Sequence, residues 1–200
     1  MTPRSIGARL VLGASMALIP TIASAHVGAS ETSGFAHGFL HPLSGIDHIL
    51  AMVAVGMLAA NLGGRALWAV PLSFVGMMAV GGALGVLGIA VPLVEIGIGL
   101  SVAVLGAAVA LGWKWPVTAG VVVGFFAIFH GHAHGSEMPV DAAGLVYGTG
   151  FMLATAMLHA VGIGLGLGVA RLGNRFAPRA IRASGAVMAV AGIGILTGVV

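Results

Sequence analysis

Apolar residues run almost unbroken through six stretches of the chain, at roughly 40–60, 67–88, 92–112, 116–132, 142–170 and 181–200. Each is close to or above the ~20 residues that carry a helix across a bilayer. Pro42, Pro71, Pro92 and Pro116 fall in the opening turns of these stretches, where a missing N–H costs little. The fifth stretch is longer than a bilayer needs, and "GIGLGLG" at 162–168 is its expected point of bending. The pattern predicts an all-α polytopic membrane protein, a bundle of six transmembrane helices.

Composition supports that class. Only 6% of residues are Asp, Glu, Lys or Arg, where a water-soluble domain carries about 25%. Hydrophobic residues make up 59%, and 34 further residues are Gly. The lipid bilayer is therefore the expected surrounding. The absence of Cys excludes disulfides and thiolate metal sites. A pI of 10.7 suggests nucleic acid at first sight, but eight basic residues scattered over the chain make no basic patch, and no nucleic-acid partner is expected. The glycine pairs Gly81/Gly85, Gly120/Gly124 and Gly144/Gly148 let helices approach closely. A homo-oligomer is compatible with all of this. No G-x-x-x-x-G-K-[ST] sequence is present, so no nucleotide engine and no prosthetic cofactor are expected.

The N-terminus reads as a secretory signal. Arg4 and Arg9 precede "LVLGASMALIP", and "ASA" at 23–25 is a small-x-small cleavage site. The alternative is an uncleaved first helix. With cleavage, residues 1–25 are the signal peptide and 26–200 the six-helix domain. Arg65, Lys114, Arg171, Arg175, Arg179 and Arg182 then all fall on one side, while Glu31, Glu137 and Asp141 fall on the other. The positive-inside rule makes the basic side cytoplasmic. Both mature termini then face the periplasm across a bacterial inner membrane. Trp68, Trp113 and Trp115 sit at the cytoplasmic helix ends, as interfacial anchors do.

Against this background the intramembrane polar residues stand out. "HPLSGIDH" at 41–48 opens the first span with His41, Asp47 and His48. On one straight helix, His41 and His48 share a face two turns apart, with Asp47 about 100° from His48, but Pro42 and Gly45 leave the geometry of this first turn open. Glu95 lies about one turn into the third span from the same side. No Lys or Arg is at that depth, so the counter-charge of these carboxylates is a proton or an imported cation. "FHGHAHGSE" at 129–137 closes the fourth span. His130 and His134 stand at i and i+4, a chelating spacing on a helix. His132 points elsewhere on a helix and joins them only in a loop, which Gly131 and Gly135 suggest; Glu137 adds an oxygen ligand. His159 is placed near the middle of the fifth span. Imidazole and carboxylate without thiolate suit Ni²⁺, Co²⁺ or Zn²⁺.

The two segments resemble the signatures H-P-x-x-G-x-D-H and F-H-G-x-A-H-G-x-E of the HupE/UreJ family of nickel/cobalt permeases. The likeness extends to the signal, the six-span layout and the acidic residue in span three. It implies secondary uptake of Ni²⁺ or Co²⁺ that supplies nickel hydrogenase or urease. By motif it assigns the metal to His41, Asp47, His48, His130, His134 and Glu137, and by span position to Glu95. His132 fills a variable place. Two rivals are an intramembrane metal-dependent hydrolase using Ser44, and a membrane metal-binding or sensing protein without transport. The chain holds no H-E-x-x-H and no G-x-S-x-G, and its short loops leave little docking surface.

Overall fold

The computed structural model describes residues 31–138, 142–171 and 173–199. The expected signal peptide at 1–25 and Asp141 lie outside the described residues. The described residues form helices joined by short turns, in the order α1 (Glu31–Ser44), α2 (Ile46–Leu62), α3 (Ala66–Val86), α4 (Val94–Leu111), α5 (Pro116–Glu137), α6 (Ala142–Ala170) and α7 (Gly173–Leu196). Five of these are long and apolar enough to cross a membrane, and α1 with α2, bent by 81° at their junction, pass the same test only as a pair, which gives five to six candidate spans. The protein is a multi-pass membrane protein.

The bend falls at the turn whose geometry Pro42 and Gly45 left open. Pro42 lies near the end of α1 rather than in an opening turn, and Gly45 is extended at φ −96°, ψ 123°. A Cβ at Gly45 would lie 2.6 Å from Asp47 Oδ1 and 3.1 Å from His48 Nδ1. The break therefore leaves room for the Asp47 carboxylate to fold back over the start of α2. It also puts His41 on a different helix from Asp47 and His48.

Helix α2 is the axis of the bundle. Every residue from Ala51 to Ala59 is buried, and the helix packs against α3, α4 and α6. The outer helices turn large apolar side chains outward, including Val121 on α5, Leu165 on α6 and Val187 on α7. A water-soluble monomer rarely exposes apolar surface on this scale; against acyl chains it costs nothing.

Glycine sets the tightest contacts. Along α3 and α5, Gly81 faces the Ile128 carbonyl, Gly131 the Met78 carbonyl and Gly135 that of Gly82. Gly131 and Gly135 thus serve close packing, and α5 runs unbroken through them to Glu137, contrary to the expected loosening. Likewise Gly162 packs against Val53 and Gly56 of α2, and α6 runs as one helix through the 162–168 glycines. Gly120 faces open space, so only its partner Gly124, against Ser73, serves the expected pair. Replacing Gly81 by Ala should cost about 1–3 kcal/mol through overpacking, whereas Gly120→Ala should be neutral. Thermal unfolding of the two purified variants in detergent checks the contrast.

Candidate metal centre

Three helices bring the two signature segments together. His41 comes from the end of α1, Asp47 and His48 from the first turn of α2, and His130, His134 and Glu137 from the last turns of α5. Their imidazoles form a file. Ring centroids are 4.6 Å apart from His41 to His134, 4.7 Å from His134 to His48, and 4.8 Å from His48 to His130. The file runs inward. Glu137 is exposed and His41 half-buried, while His134, His48 and His130 are buried.

Hydrogen bonds fix which nitrogens are free. His48 Nδ1–H donates to Asp47 Oδ1 at 2.8 Å, and the His48 backbone N–H donates to the same oxygen at 2.8 Å. That leaves the His48 Nε2 lone pair pointing away from the carboxylate, the tautomer a metal ligand needs. His48 Nε2 faces His134 Nε2 at 2.6 Å. Deeper in, the Ser101 hydroxyl of α4 donates to the Ile98 carbonyl at 2.6 Å and so accepts from His130 Nε2–H at 2.8 Å. His130 Nδ1 then carries a buried lone pair with no partner among the described residues. Leaving such a group unpaired costs about 1–3 kcal/mol.

This donor set fits a divalent cation. One ligand atom each from His41, His134 and Glu137 lies within 4.8 Å of the others. Two imidazole or carboxylate ligands on opposite sides of one ion, each at ~2.1 Å, are at most about 4.2 Å apart. Three ligands cannot all lie opposite one another, so the trio must close by roughly an ångström or more to share one ion. The exposed His37 of α1 has its ring 6.0 Å from that of His41 and 5.6 Å from that of Tyr147.

The family model described as "HupE / UreJ protein" matches residues 14–195. The chain belongs to the HupE/UreJ family. It is 49% identical over 182 residues to Protein HupE of Rhizobium leguminosarum bv. viciae, covering 90% of this chain and 93% of that relative. No solved structure matches it.

Not every expected residue joins the file. Glu95 occupies the first turn of α4, but it is exposed, and no hydrogen bond or ion pair links it to the imidazoles among the described residues. His132 points away from the file, as helical phase dictates once α5 stays helical, and its Nε2–H donates to the Ile89 carbonyl at 2.9 Å. His132→Ala should therefore change initial uptake by about twofold at most, the range of a surface substitution. Metal titration of uptake at matched protein amounts checks this. Ser44 is also elsewhere, its hydroxyl donating to the His41 carbonyl at 2.6 Å.

His159 on α6 is fully buried, and neither of its ring nitrogens has a partner among the described residues. Phe74 stands between it and the file, with ring centroids 5.5 Å from His130 and 5.1 Å from His159. Sequence reasoning missed Ser101 and Phe74. Ser101 was open to discovery as a hydroxyl inside an apolar span; Phe74 is an aromatic in an apolar span and gives no such signal.

Proposed function

We propose that the protein is a secondary permease that takes up a divalent transition-metal ion, Ni²⁺ or Co²⁺, across the bacterial inner membrane. One observation carries the reading. Four imidazoles stand in file, each about 5 Å from the next, from a half-exposed His41 to a fully buried His130. A static binding site needs one cluster of ligands. A graded series of neutral and anionic donors suits an ion that moves. The family membership supports the same reading, and metal delivered this way would supply nickel enzymes such as hydrogenase or urease. The donor chemistry also accommodates Zn²⁺.

In this scheme the hydrated ion meets Glu137, His41 and His134 at the periplasmic mouth. The carboxylate offsets part of its charge, and the imidazoles replace its water one at a time. His134 is shared between the mouth group and the buried pair, so the ion passes to His48 without returning to solvent. The Asp47 carboxylate holds the His48 tautomer and neutralises charge in a medium where an isolated ion is costly. His130 comes next, with Ser101 fixing the ring. Phe74 closes the file, and movement of its ring would open the way to His159 and the cytoplasm. A potential of 100 mV acting on two charges yields about 4.6 kcal/mol, on the order of a thousandfold accumulation, so ATP is not required.

Uptake of radiolabelled Ni²⁺ by cells making the protein tests the reading, and saturable uptake above control cells is expected. An imidazole holds a metal only when neutral, and it titrates ordinarily near ~6.5. Lowering the outside pH far enough to protonate the mouth imidazoles puts protons in competition with the ion, and uptake at fixed potential should then fall. A rate that stays flat down to about pH 4 would remove imidazole ligation from the capture step.

A further inference from the structure

The opposite end of the bundle holds a crevice that no transport step uses. It has a volume of about 520 Å³ and opens between the ends of α2 and α4 and the start of α7. Asn61, Lys114 and Arg182 line it, with Leu62 and Ile181. The Arg182 guanidinium lies over Gly112, where a Cβ would come within 3.8 Å of Nη2. Two permanent cations thus face one space. Neither forms a salt bridge among the described residues. The carboxylates whose side chains are described, Asp47, Glu95 and Glu137, all belong to the other end of the bundle. A transported cation would be repelled here, so this is not its exit.

A second, independent feature adjoins it. On the other flank of the same corner an apolar groove of about 190 Å³ runs between α4 and α5. Leu58, Leu105, Leu111, Trp113 and Val122 line it. Trp113 meets the exposed Trp115 edge to face at 5.5 Å, and its indole N–H donates to the Trp115 carbonyl. Paired indoles at a helix end mark the membrane–water boundary. The turn through Gly112 and Lys114 therefore separates a cationic crevice at headgroup depth from an apolar slot at acyl-chain depth.

We infer that this corner is a binding site for an anionic phospholipid, with the headgroup phosphate held by Lys114 and Arg182 and one acyl chain laid in the groove. Basic pockets between transmembrane helices recognise such headgroups. A free phosphate shares the headgroup chemistry but would leave the groove unused. The inference rests on the crevice and the groove and is independent of the transport reading.

The test uses the full-length protein, purified in mild detergent and washed free of lipid. Its thermal unfolding is followed with added phosphatidylglycerol, with phosphatidylcholine of the same acyl chains, and with inorganic phosphate. Phosphatidylglycerol alone should raise the midpoint, by about 5–10 °C near a hundredfold excess over its dissociation constant. Lys114→Ala/Arg182→Ala should lose that gain while unfolding normally in phosphatidylcholine. Val122→Trp, which fills the groove and leaves the cations in place, should weaken it too. Should the double variant fail to fold, Lys114→Gln at an exposed position gives the same reading with a smaller loss. Equal stabilisation by both lipids, no stabilisation by either, or an undiminished gain in the variants would overturn the inference. Stabilisation by inorganic phosphate to the same extent would make the site one for free anions and would equally overturn it.

Discussion

Uptake should collapse in an Asp47→Asn variant, by about 10–100-fold at limiting metal, while the protein remains inserted at normal levels. Asp47 does not need to touch the ion for this. Its Oδ1 accepts from both the ring and the backbone N–H of His48. The amide keeps the shape but removes the charge. It can also present an NH₂ group to His48 Nδ1, which would turn the ring to the tautomer whose Nε2 carries a proton. The nitrogen facing His134 would then be a donor and no longer a ligand. Both losses act on every crossing, so raising the metal concentration should not restore the maximal rate. Normal transport at matched protein amounts would remove Asp47 from the path.

A still larger loss, on the order of 100-fold or more, is expected for His134→Ala, since outer-shell changes alone cost about 10–100-fold. His134 belongs to both halves of the file. Its ring lies 4.6 Å from His41 and 4.7 Å from His48, and it is one of the three candidate ligands at the mouth. Removing it separates capture from the buried pair. His41→Ala should be milder and should mainly raise the half-saturating metal concentration, because abundant ions can bypass one mouth ligand. The comparison is read from initial uptake over a range of metal concentrations. An effect of His134→Ala no greater than that of His41→Ala would mean that the two groups are not in series.

Much of this arrangement was legible in the chain. Apolar runs near bilayer length and the scarcity of charge specified a polytopic helical membrane protein, and the i, i+4 spacing of His130 and His134 placed both on one face of a helix. Three points depended on tertiary contact. Gly131 and Gly135 looked like helix breakers, but each lets the backbone of α3 approach, and packing held α5 helical. That continuity turned His132 away from the file. The break fell instead at Gly45, where the carboxylate of Asp47 fills the space a side chain would take. Glu95 matched Asp47 in depth along the sequence, but depth does not give rotation about a helix axis in a span that is apolar all round, and its side chain is exposed.

Transport, as opposed to binding, is tested most directly with the purified protein in sealed vesicles carrying an imposed potassium diffusion potential. An inside-negative potential should drive radiolabelled Ni²⁺ inward above its outside concentration, by about tenfold for each ~30 mV, the value for two charges. Metal retained only in fixed proportion to protein, with no response to the potential, would contradict a permease.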